Sequence, residues 1–175
     1  MKVRPKPTRA SVLHAVMEEI LTRNDGRMPT AIEGINIHFS TIDDLANAVL
    51  LRWHTRLVAS LERGLVDDPE DREEAVIEAW RHAAQIYSGV RKVIDELANN
   101  PPTDVVHHAV VATARHDWAI MAITAGLASG VDGAGVRVGH RLELEARRRH
   151  FAQDGTVSRF GVRTLLGKLM AKRVG

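Results

Sequence analysis

The side chains best suited to chemistry occur as Trp/His neighbours: Trp53-His54, Trp80-Arg81-His82 and His116-Asp117-Trp118. At helical spacing each Trp falls on the apolar seam of its segment, which puts the adjacent His at the seam's edge. Glu78 and His82 are one helical turn apart and share a face. A metal or haem site inside a bundle would draw on His54, Glu78, His82 and His116. Carboxylate/His sites in bundles use Glu-x-x-His on two helices and a further Glu on each of two others. Neither Glu-x-x-His nor His-Glu-x-x-His occurs here. The spacing therefore favours ordinary seam-edge histidines, with no metal ligand, cofactor or catalytic residue assigned. The four-residue set stands as the alternative.

Asp117 interrupts an otherwise apolar helix, and a buried carboxylate needs a partner. Arg52, Arg56 or Arg81 from a neighbouring helix is the expected one, in a structural ion pair that sets helix register. Gly133, Gly135 and Gly139 have a Gly-x-Gly-x-x-x-Gly spacing. No strand precedes them and no βαβ frame follows, so they read as a loop and a small face for close helix packing, not a dinucleotide site. Gly-x-Ser-x-Gly and phosphate-loop signatures are absent. With no cysteine in the 175 residues, disulfides, thiolate nucleophiles and Cys-ligated zinc are excluded.

Charge is the stronger lead. The formal net charge of +2 conceals an acidic body with basic ends. Residues 1–10 hold four bases and no acid; residues 137–175 hold ten bases and three acids; residues 11–136 hold ten bases and nineteen acids. Basic ends on an acidic body suit an anionic partner, or fold back onto the body of the same or a neighbouring subunit. The bases concerned are Arg4 and Arg9, the run Arg147-Arg148-Arg149, and Arg159, Arg163, Lys168, Lys172 and Arg173.

The elements that must position these residues are helical. Thr8 caps a helix over 8–23 in which Val12, Leu13, Val16, Met17, Ile20 and Leu21 form a stripe. Ile35, Ile37 and Phe39 alternate with polar residues, so 30–39 reads as a small β-hairpin or extended segment. A second helix spans 41–63 on the seam Leu45, Val49, Trp53, Leu57 and Leu61. A third opens at Asp68-Pro69 and runs to 98 on a heptad seam: Val76, Trp80, Ala83, Tyr87, Val90, Ile94 and Leu97. A fourth spans 103–126 and is apolar nearly all round, which suits a central helix or an oligomer contact. Two shorter helices follow, at 135–150 and 158–173, separated by a turn at Gln153-Asp154-Gly155.

The expected fold is thus mainly α: an up-down-type bundle of four principal helices, with residues 1–150 as one domain behind a basic arm at 1–7. Residues 151–175 form a basic amphipathic C-terminal arm. No apolar run approaches the ~18–20 residues of a membrane span, and no apolar segment of a secretory leader follows the basic N-terminus, so a cytoplasmic protein is expected. Nineteen arginines against five lysines match the coding bias of a high-GC bacterium or its phage. The resulting expectation is a non-enzymatic interaction or assembly protein. It would be a homo-oligomer or part of a bacterial or phage complex, engaging an acidic surface through its basic ends. The alternatives are non-specific binding of nucleic-acid phosphates through the same bases, or the His/carboxylate bundle site above.

Overall fold

The computed structural model describes residues 6–66 and 69–171, with side chains up to residue 152. The protein is mainly helical, and no strand occurs among the described residues. Helix α1 is Arg9–Arg23, α2 Ile35–His38, α3 Ile42–Gly64, α4 Arg72–Ile86, α5 Ser88–Asn99, α6 Asp104–Thr124 and α7 Gly133–Ala171. Side-chain caps start the long helices. Thr8, Thr41, Asp71 and Thr103 accept from the backbone N–H of Ser11, Asp44, Glu74 and Val106 respectively. None of the described helices is long and apolar enough to cross a membrane.

Four expectations need correction. The 30–39 segment is no hairpin. Gly34, at φ 88°, turns the chain into the single helical turn α2. Alternation would place Ile35, Ile37 and Phe39 on one side; the turn instead buries Ile35 and Phe39 together and leaves Ile37 77% exposed. Asp68 lies outside the described residues; the heptad segment begins at Arg72, with Asp71 as the cap that bonds, and not at Pro69. Nor is it one helix: it divides at Tyr87 (φ −109°, ψ 38°) into α4 and α5. The seam survives the division, since Val76, Trp80, Ala83, Val90, Ile94 and Leu97 are all buried. Finally, α7 is continuous across Gln153-Asp154-Gly155, where a turn was expected.

The packing also departs from the expected four-helix layout. Helix α1 lies on α5 and α2, whereas α7 packs along α6 and α4 and α3 lies against α4 and α6. Pairs Asp43–Thr103 and His54–Asp117 show α3 and α6 running in the same direction. Glycine permits the two closest approaches. A Cβ on Gly89 would lie 2.3 Å from the Ile20 carbonyl oxygen, and one on Gly139 would lie 1.7 Å from that of Trp118. The small face expected at Gly135 and Gly139 is therefore where α7 meets the preceding loop and α6.

Candidate functional site

Behind the α6–α7 contact, the bundle interior is charged. Asp117, 4% exposed, faces α3, where Trp53 donates its indole N–H to Oδ2 (3.1 Å) and His54 Nδ1 lies 2.6 Å from Oδ1. The neighbouring Trp118 donates to Oε2 of Glu143 on α7 (2.5 Å), and Arg147 Nε donates to the other oxygen of Glu143 (2.7 Å). Arg147 then reaches across to α5, donating through Nη1 and Nη2 to the two oxygens of Asp95 at 3.2 and 2.9 Å. Arg91, one turn before Asp95, donates to it through Nε and Nη2 at 3.1 and 2.9 Å. Each arginine also stacks over an indole, Arg91 on Trp53 at 4.9 Å and Arg147 on Trp80 at 5.2 Å.

Hydrogen bonding orders the acidities. Burial pushes the Asp117 carboxyl above its usual range; the contact with His54 opposes this and the charge of Glu143 adds to it. Burial pushes Asp95 the same way, but the hydrogen bonds and charges of Arg147 and Arg91 outweigh it and hold Asp95 below its usual value. Burial lowers Arg91. On Arg147 the Asp95 hydrogen bonds and the charge of Glu143 overcome the same effect and raise it.

Apart from His54 and Trp80, these side chains wall a cavity of about 230 Å³, whose lining is completed by Thr113 and apolar residues including Leu50, Ile94, Val110 and Ala114. Arg91, Asp95 and Arg147 also line a second cavity of about 270 Å³ that runs past Trp80, Lys92 and His150. The Nε1 of Trp80 is buried without a hydrogen-bond partner among the described residues, unlike the indoles of Trp53 and Trp118. Chemically, Asp117 and His54 form a carboxylate–imidazole pair able to hold and orient a proton. Among the described residues no serine or threonine hydroxyl hydrogen-bonds His54.

The residues singled out in the sequence are dispersed. His54 and His116 come together, their rings 5.0 Å apart. Glu78 instead pairs with Arg81. Among the described residues no three His, Asp or Glu side chains form a group that could hold a metal ion. Asp117 is partnered by His54 and Trp53, not by Arg52, Arg56 or Arg81, because the parallel α3 presents those two residues to it. Arg9 donates to the His38 carbonyl and covers the Phe39 ring at 4.2 Å. Arg148 pairs with Glu145 at 2.6 Å; Arg149 pairs with Glu145 at 2.7 Å and with Glu74 of α4 at 2.6 Å. Those two arginines hold Glu145 down to about 2. Arg4, Lys172 and Arg173, and the side chains of Arg159, Arg163 and Lys168, lie outside the described residues.

Glu143, Trp118, Arg91 and Asp95 were missed as site residues. Two signals could have found them: Glu143–Arg147 and Arg91–Asp95 are both i,i+4 pairs on otherwise apolar faces.

No protein-family model, curated protein or solved structure matches this chain.

Proposed function

We propose that this is a non-enzymatic helical interaction protein, an oligomer or a component of a bacterial or phage complex, that engages an acidic surface through residues 151–175 and the N-terminal arm. A contrast along α7 carries the reading. In the first part of the helix, Glu143 and Glu145 stand three or four residues before Arg147, Arg148 and Arg149 and pair with them. Beyond residue 155 no acid stands three or four positions from Arg159, Arg163, Lys168 or Lys172. Arg159/Arg163 and Lys168/Lys172 are like-charge i,i+4 pairs, which disfavour a helix standing alone. Anions from outside the helix would relieve both.

A second copy of the chain offers such anions. Glu70, Asp71, Glu73 and Glu78 are exposed at and near the start of α4. One exposed ion pair contributes only ~0.2–1 kcal/mol, so several bases must act together, and Val162, Leu165, Leu166 and Leu169 add an apolar stripe beside them.

Size-exclusion chromatography with light scattering, from low to high salt, tests the reading. A complex that dissociates as salt rises, and that is lost in the triple variant R159E/R163E/K168E, is the expected result. A chain that is monomeric at every salt concentration and captures no acidic protein overturns it. Retention on DNA with a steep salt dependence would transfer the same bases to phosphate binding.

A further inference from the structure

The cavity between α3, α5, α6 and α7 is independent of the basic ends and has its own charge balance. Two cations line it, Arg91 and Arg147, against three carboxylates, Asp95, Asp117 and Glu143. The arginines are spoken for. Arg147 donates through Nε, Nη1 and Nη2 to Glu143 and Asp95, and Arg91 donates through Nε and Nη2 to Asp95. Arg91 Nη1 has no acceptor among the described residues, so the preference for a cation rests on the balance of charge. Asp117 keeps open acceptor sites. A carboxylate has about four lone-pair sites, and Asp117 uses one on each oxygen, for Trp53 and His54. With Asp117 ionised and its partner His54 neutral, the lining is one positive charge short, and Asp117 has lone pairs to offer.

Apart from Thr113 the rest of the wall is apolar: Leu50, Ile94, Val110, Val111 and Ala114 among others. Its volume of about 230 Å³ exceeds the ~150 Å³ of an apolar cavity that takes up benzene. A convergent polar end on an apolar chamber is the usual construction of a small-molecule site.

We propose that this cavity binds a small amphipathic organic cation, an amine on a short aryl or alkyl body. Its ammonium group lies toward Asp117 and its body lies along the α3, α5 and α6 side chains. The ammonium donates to the lone pairs that Trp53 and His54 leave open and supplies the missing charge. The apolar body displaces cavity water from Leu50, Ile94 and Val110.

The test is calorimetric titration of the full chain with 2-phenylethylamine, with 3-phenylpropanoate as an anion and 2-phenylethanol as a neutral analogue of similar size. The amine is expected to bind saturably and at least tenfold more tightly than either. Asp117→Asn, which keeps an acceptor but removes the charge, should weaken the amine at least tenfold and leave the alcohol unchanged. Ala114→Leu, which fills the apolar wall, should abolish binding of the amine and the alcohol alike. A readout that needs no variant is the indole N–H resonances. Those of Trp53 and Trp118, which line the cavity, should move on adding the amine, while that of Trp80, which does not, should stay. Absence of amine binding, equal binding of the anion, or movement of Trp80 alone would overturn the proposal.

Discussion

The α1–α5 and α6–α7 seams are built on one device and filled with opposite chemistry. In each, a glycine lets one helix press against a carbonyl of the other: Gly89 on Ile20, Gly139 on Trp118. Val12, Val16 and Ile20 of α1 and Val90, Val93, Ile94 and Leu97 of α5 then close the first seam with buried hydrocarbon. The second is closed partly by Leu142 and Ala146, and also by Glu143, Arg147 and the Asp117 cluster. Burying an aliphatic side chain stabilises the fold by roughly 1.5–3 kcal/mol. Burying an ion costs several kcal/mol, which its partner and hydrogen bonds only offset. The apolar seam therefore holds α1 on the body, while the charged one sets orientation and register. It also leaves space, because ions fixed by hydrogen-bond directions cannot collapse onto each other as methyl groups do.

The comparison can be broken at several points. Gly139→Ala should have the largest effect, about 3 kcal/mol or more by urea denaturation, because α6 and α7 must part and every hydrogen bond across them suffers. Arg147→Ala takes the ion-pair partner from Glu143 and leaves Asp95 with Arg91 alone. Truncating one member of a fully buried pair costs ~3–5 kcal/mol, and with 23% of the Arg147 side chain exposed about 2–3 kcal/mol is expected. The neighbouring Arg148→Ala should cause no resolvable change, since Arg148 reaches only Glu145 on the surface. Trp53→Phe keeps most of the volume but takes the indole donor from Asp117, for about 1–2 kcal/mol. Ile20→Val in the apolar seam should cost about 1 kcal/mol and leave the chemical shifts of the charged cluster unmoved.

Acidity separates the members of the charged region itself. Asp117 has a folded pKa above the unfolded value. Just above the usual carboxyl value of 3.8 the native state keeps a proton that the unfolded chain has released, so this group's contribution falls as pH rises. Asp95 is shifted the other way; its contribution is present above 3.8 and is lost as pH falls through its lower folded value. Asp117→Asn should therefore make the slope of unfolding free energy against pH more positive above 3.8 than in the unaltered protein. An unchanged slope would remove Asp117 from the buried set.

Much of this was legible from residue order. The buried stripes of α1, α3 and the α4–α5 pair fall where the 3.6-residue periodicity put them, and Thr8 caps α1 as its type and place suggest. Asp117 stood out as a polar residue within an apolar helix. Its partners did not, because a helix pattern says which face is inward but not which neighbour stands there. The direction of α3 relative to α6 decides that His54, and not Arg52 or Arg56, meets Asp117. The hairpin expected at 30–39 failed for a related reason. Four alternating residues fit one turn of helix as well as a strand, and the left-handed Gly34 selected the turn.

The amino-acid sequence by itself determined the helical class, the inward faces, the helix start at Thr8 and the layout of charge along the chain, because these rest on interactions within a few residues of each other. Tertiary structure alone decided that α7 rather than α1 lies along α6, that Arg147 turns inward to Asp95 while Arg149 reaches across the surface to Glu74, and that three carboxylates and two guanidinium groups surround one cavity. Those pairings span 52 and 75 residues. Only packing in three dimensions, through close contacts such as Gly139 on Trp118, brings charges that far apart in the chain within hydrogen-bonding distance.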